Sequence, residues 1–146
     1  MKKIMLVFGF LVAVAVSYAY PSEKVSPRVL ASFKSEFSKA ENVEWETGNN
    51  YFRATFSLNE QRMFAFYSVD GELISMARYI SSLQLPVNLF KNLRNGYSKY
   101  WISDLFEVSN SDGLHYYVTL ETADTRLLVR SSNGGDWSTY SKHKKI

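Results

Sequence analysis

Residues 26–37, SPRVLASFKSEF, and residues 85–97, LPVNLFKNLRNGY, decide the fold, because they read as one short amphipathic helix written twice. Val29, Leu30, Phe33 and Phe37 superpose on Leu89, Phe90, Leu93 and Tyr97 at a constant offset. Apolar residues three and four apart form one stripe at the helical period. Ser26-Pro27 supplies an N-cap and then proline at the first helical position, where its missing N–H forfeits no bond. The first helix is predicted over about 27–38. The second opens at Leu85-Pro86 and reaches Asn95, with Gly96 placed as a C-cap glycine.

Alternating segments follow each helix. Val43 and Trp45 alternate with Glu44 and Glu46 up to the turn Gly48-Asn49-Asn50. Phe52, Ala54, Phe56 and Leu58 then alternate with Tyr51, Arg53, Thr55 and Ser57, and Asn59-Glu60-Gln61 makes a tight connection. Met63 to Val69 is apolar or aromatic on both faces, as in a central strand. Asp70-Gly71 is the strongest hairpin dipeptide in the chain and leads into a strand from Glu72 to Ile80. In the second half, Tyr100 to Val108 reads as a strand and Ser109 to Gly113 as a turn. Tyr116, Val118 and Leu120, then Leu127 and Val129, take up the alternation of the first half. Asn133-Gly134-Gly135 stands where Asp70-Gly71 stood, before a short last strand from Trp137 to Tyr140.

The expected fold class is α+β: a tandem repeat of a helix followed by antiparallel strands, with the helices packed on one face of a shared curved antiparallel sheet. Residues 26–80 make the first αβ repeat, 84–141 the second and 142–146 a basic tail, all within one domain spanning 20–146.

Residues 1–19 read as an export signal. Lys2 and Lys3 precede the apolar run Ile4 to Val16, and Ser17-Tyr18-Ala19 puts small residues at the −3 and −1 positions of a cleavage site after Ala19. The run is shorter than the roughly twenty apolar residues a spanning helix needs. A periplasmic or secreted location is expected, with no stable membrane insertion once the signal is removed. The 127 residues that remain carry 15 Lys and Arg against 14 Asp and Glu, so no broad footprint for nucleic acid is present. The sequence has no cysteine, so an exported domain of this kind must be held by packing alone.

Phe37-Ser38-Lys39-Ala40-Glu41-Asn42-Val43-Glu44-Trp45 resembles the helix-to-strand junction of the PepSY-like family, also described as β-lactamase-inhibitor-protein-like. The aromatic strand Tyr51 to Phe56, the hairpin Asp70-Gly71-Glu72-Leu73-Ile74 and the helix from Leu85-Pro86 to Tyr97 carry the same resemblance. Ser38 and Ser98 stand where the family commonly has a proline. The resemblance implies a small exported bacterial protein with helices on one face of an antiparallel sheet. It brings no catalytic residues with it.

The residues themselves assemble no active site. Without cysteine there is no thiol nucleophile, and His115 and His143 are too far apart in sequence to anchor a zinc site of three or four ligands. His143 falls in the basic tail, and His115 reads as a half-exposed strand residue. Asp104 and Glu107, three apart on a strand, point to opposite faces. Glu44 and Glu107 are placed at equivalent positions on the polar face. Gly134-Gly135 lacks the lysine and the helix of a phosphate loop. No catalytic, cofactor or metal site is expected, and the chain is read as a non-enzyme.

What remains is the sheet face away from the helices. With Phe52, Phe56, Phe64 and Phe66 turned to the helices, the opposite face gathers Tyr51, Arg53, Tyr67, His115, Tyr117, Arg126 and Arg130. Tyrosine and arginine dominate recognition hot spots because each joins a large contact area to a polar tip. The expected function is an exported non-enzymatic binding module, an inhibitor or envelope interaction protein, that offers this open face as a monomer to another protein. The alternative is a small-ligand carrier or enzyme on a cystatin-like or nuclear-transport-factor-like curved sheet.

Overall fold

The computed structural model describes residues 24–146, so the export signal and its cleavage site lie outside the described residues. The elements are α1 (Pro27–Glu36), β1 (Glu41–Thr47), β2 (Tyr51–Leu58), β3 (Gln61–Ser68), β4 (Leu73–Tyr79), α2 (Val87–Gly96), β5 (Trp101–Asn110), β6 (Gly113–Glu121), β7 (Thr125–Ser132) and β8 (Ser138–Lys144). Among the described residues this is an α+β fold of eight strands and two α-helices, with sheet order equal to chain order. The chain divides between Ile74 and Ser75 into two compact units.

In the first unit, Ser26 Oγ accepts from the Val29 N–H at 3.3 Å, and Pro27 occupies the first helical position. The helix stops earlier than its stripe suggests. Phe37 leaves helical geometry at φ −125°, its N–H donates to the Phe33 carbonyl at 2.8 Å, and the Ala40 N–H donates to the Phe37 carbonyl at 3.0 Å. Val29 and Phe33 enter a core made by Trp45, Phe52, Ala54, Phe56, Ala65 and Tyr67. The Phe33 ring stands edge-on to Trp45 and Phe56, at 5.2 and 5.0 Å between centroids.

This core corrects the facing of β3. Phe52 pairs with Tyr67, Ala54 with Ala65 and Phe56 with Met63, so Met63, Ala65 and Tyr67 face the helix while Phe64 and Phe66 face away. The cause is the length of the turn. The connection is the two residues Asn59 and Glu60, both in the left-handed region (φ 50° and 65°), with Leu58 already paired to Gln61. A three-residue connection through Gln61 would have shifted the register by one and exchanged the faces. At the next turn Gly71 has φ +87°, and a Cβ there would stand 2.9 Å from Arg28 Cγ on α1.

In the second unit, α2 buries Leu89 and Leu93 against Leu105, Val118, Leu120, Leu127, Val129 and Trp137. Gly96 is the last residue of α2 and not a cap in the left-handed region; Tyr97 holds the C-cap at φ −129°. The turn before β8 is fastened to α2. Trp137 Nε1 donates to the Leu89 carbonyl at 2.9 Å in a buried bond, Asn88 Nδ2 donates to the Gly134 carbonyl at 3.1 Å, and Asn92 Nδ2 donates to Asp136 Oδ1 at 3.0 Å. The expected basic tail is largely strand: β8 runs to Lys144, and the Lys145 N–H donates to the Asp124 carbonyl at 2.8 Å.

Candidate functional site

Strand alternation places Tyr51 and Arg53 on the face of the first unit away from α1, beside Phe64 and Phe66. Tyr67 does not join them, being fully buried in the helix-facing core next to Trp45. The Tyr67 hydroxyl is raised well above its ordinary value by burial and by the neighbouring Glu36 carboxylate. In the second unit His115, Tyr117, Arg126 and Arg130 share the corresponding face.

Neither face is open at these residues. Tyr51 is 7 % exposed, Arg53 4 %, His115 2 % and Tyr117 3 %. A side chain that turns away from a helix does not thereby face water, as these residues show. Around Arg53 the layer is tightly knit. Its guanidinium is paired with Glu46 and lies 5.8 Å from the Phe64 ring centroid. The Tyr51 ring lies so close to Gly48 that a Cβ there would fall 2.3 Å from the ring carbons. Burial pushes the Tyr51 hydroxyl up, with Arg53 opposing and Glu46 adding.

His115 is wedged rather than half-exposed. An Arg130 terminal nitrogen lies 3.1 Å from His115 Nδ1, Ser132 Oγ lies 3.0 Å from the same atom, and Nε2 lies 3.3 Å from Asn110 Oδ1. Arginine can only donate, so Nδ1 accepts and the ring proton sits on Nε2, donated to Asn110. Burial lowers the imidazole below its ordinary value and the Arg130 charge lowers it further, while Asp112 opposes both. The same guanidinium lies 5.6 Å from the Tyr117 ring centroid, and Tyr117 meets Tyr140 edge-on at 5.9 Å.

The carboxylates are likewise engaged. Arg126 Nε lies 3.0 Å from Glu121 Oε1, and Lys145 bridges the other carboxylate oxygen. Lys145 and then Arg126 hold the Glu121 carboxyl down to about 2. Burial raises Asp104 nearby, against the pull of Arg126. Glu44 and Glu107 are not equivalent: Glu44 pairs with Thr55 away from α1, whereas Glu107 pairs with Tyr116 on the α2 side and binds Arg78 at 2.7 Å. The counterpart of Glu44 is Asp104, which stands opposite Thr119 as Glu44 stands opposite Thr55, and Glu107 lies three residues further along β5 on the other face. Asp104 and Glu107 do face opposite ways, as read. Among the described residues no group of three or more His, Asp or Glu is placed to hold a metal ion.

The site residues that remain accessible are therefore Arg126, exposed, and Arg130, half-buried on the same strand. A further accessible feature was not anticipated. Leu83, Phe90, Arg94, Tyr97, Tyr100 and Ile102 line an open groove of about 490 Å³ beside α2, floored by Leu93 and Leu120. In sequence Phe90 and Tyr97 are stripe residues only, and nothing local joins Leu83 to Ile102.

Among the described residues no helix is long and apolar enough to cross a membrane. No protein-family model and no curated protein matches the sequence. Solved structures do. A BLIP-like protein from Bacteroides fragilis superposes with a TM-score of 0.70 at 15 % identity, over 88 % of this chain and 89 % of its own. A DUF2874 family protein from Bacteroides uniformis gives 0.72 at 14 % identity, over 82 % and 88 %. A predicted periplasmic protein from Bacteroides eggerthii gives 0.73 at 12 % identity, over 82 % and 88 %. Identities this low show the fold alone, so the resemblance narrows from PepSY-like membership to a likeness in architecture. The fold is BLIP-like.

Proposed function

We propose that this chain is an exported, non-catalytic protein-binding module built by duplication of one helix-and-strand unit. The backbone at the two helix ends supports the duplication. Leu30 to Ser26, Phe37 to Phe33 and Ala40 to Phe37 bonds recur as Phe90 to Pro86, Tyr97 to Leu93 and Tyr100 to Tyr97. The BLIP-like and predicted periplasmic neighbours favour an exported binder, although shared fold does not transfer a partner.

The observation that carries the reading is the stack of Arg130 over Tyr117, wedged by His115, with Arg126 two turns of alternation away on β7. Buried rings that fix a half-buried guanidinium reduce the entropy it loses on meeting a partner. His115 and Tyr117 then order this face of the second unit, and Arg126 and Arg130 touch the partner; on the first unit Tyr51 and Arg53 order the corresponding face. In its narrower form the partner is an enzyme that the monomeric protein inhibits. Two helices, each over its own strands, do not favour the single-helix carrier.

Quantitative capture from envelope extracts tests the reading, comparing the mature chain with an Arg126→Ala/Arg130→Ala variant of unchanged circular dichroism. Specific partners should be depleted at least fivefold with the variant. Equal recovery by both proteins would sink the proposal.

A further inference from the structure

An accessible groove lies beside α2, on residues the β7 arginines do not include. The 490 Å³ groove opens to solvent, and beside Ser82 and Ser98 its rim carries large exposed apolar side chains: Leu83 is 83 % exposed and Ile102 42 %. Its floor is the buried pair Leu93 and Leu120, so an apolar group entering it meets the core directly. Phe90, Tyr97 and Tyr100 supply the walls. Large exposed apolar side chains are unremarkable singly, but gathered around one concavity they mark an interaction site.

The charge around the groove states what the partner must carry. Between Glu72 and Asp104 the chain contains no acidic residue, while Lys91, Arg94 and Lys99 all fall in or beside α2. Among the described residues none of these three cations forms an ion pair. Arg94 lies on the groove itself, with its guanidinium 5.7 Å from the Phe90 ring centroid. That contact orients the planar fork over the groove and leaves its N–H groups free for a carboxylate.

We infer that this groove binds an acidic peptide segment of another protein, which seats one aromatic or large aliphatic side chain over Leu93 and Leu120 and pairs a neighbouring carboxylate with Arg94. The specificity is joint. The apolar anchor supplies contact area, and the carboxylate meets a cation already held in place. A basic or uncharged segment gains only the first of these and is repelled or left unpaired by the second.

Selection of random twelve-residue peptides on phage against the folded mature chain tests this, with counter-selection on a Leu83→Glu/Ile102→Glu variant. Both positions are exposed, so the variant should keep the native circular dichroism and melting temperature. Enriched peptides should contain one aromatic or large aliphatic residue within two positions of Asp or Glu. The enriched peptide, measured by fluorescence polarisation, should bind the Arg94→Gln protein at least tenfold more weakly. Replacing its acid by the amide should cost a similar factor, and raised salt should weaken it. Enrichment of peptides without an acid would overturn the inference. So would retained affinity with Arg94→Gln, or groove-dependent self-association of the chain with no enriched peptide.

Discussion

Phe33→Ala is the sharpest probe of the first unit. The side chain is 7 % exposed and meets four rings: Phe37 at 5.4 Å, Trp45 at 5.2 Å, Phe56 at 5.0 Å and Tyr67 at 6.4 Å. Losing the burial of a phenylalanine forfeits about 1.5–3 kcal/mol of transfer energy, and the cavity left among rigid rings adds to it. The edge-on pairs with Trp45 and Phe56 contribute about 0.5–1.5 kcal/mol each beyond their area, so a total near 4 kcal/mol is expected. Phe33→Leu keeps most of the volume and loses the ring pairs, for a cost of about 1–2 kcal/mol. Urea denaturation of the mature chain, followed by far-ultraviolet circular dichroism, measures both at once. A loss under about 1 kcal/mol for the alanine variant, at unchanged m-value, would place Phe33 among ordinary surface positions and refute the core described.

Glycine substitutions separate the two helix-associated glycines. Gly71→Ala should cost about 1–3 kcal/mol, because φ +87° is strained for any side chain and the new Cβ meets Arg28. Gly96→Ala should instead stabilise by about 0.4–1 kcal/mol, since that site is helical with nothing within 4 Å of a new Cβ; equal melting temperatures for the two variants would contradict the geometry. Stability should also fall on acidification in two stages. His115 and Glu121 are both held below their ordinary values, so the unfolded chain takes up protons first. The His115 contribution is complete above 6.5 and is lost below it. That of Glu121 is complete above about 4.5 and is lost as the pH falls through 2. His115→Gln should flatten the first stage and Glu121→Gln the second in urea midpoints measured against pH; unaltered profiles would refute the pairing.

The helices and the strand segments were legible because a 3.6-residue stripe and a two-residue alternation are local patterns. The facing of β3 was not, since Met63 to Tyr67 is apolar in both phases and the choice rests on one turn residue. Assigning Gln61 to the turn instead of the strand misplaced Tyr67 and with it one member of the candidate face. Polarity also gave no measure of burial. Arg53 and His115 look like surface residues until Glu46, Asn110 and Ser132 are brought to them from other strands. The groove beside α2 escaped for a related reason: Leu83, Arg94 and Ile102 acquire a common meaning only when three segments meet.

The helix-to-strand junctions are closed by main-chain N–H and C=O groups, which every residue but proline can supply in full. Such a joint sets almost no condition on side-chain identity beyond size and greasiness. Within this one chain Phe33 answers to Leu93, Phe37 to Tyr97, Ala40 to Tyr100 and Trp45 to Leu105. A framework of that kind can lose nearly all its sequence likeness while its shape stays fixed. Superposition therefore reaches Bacteroides proteins at 12–15 % identity where comparison by sequence finds nothing. The same tolerance leaves the exposed positions of any protein with this framework free to vary without cost to the joint.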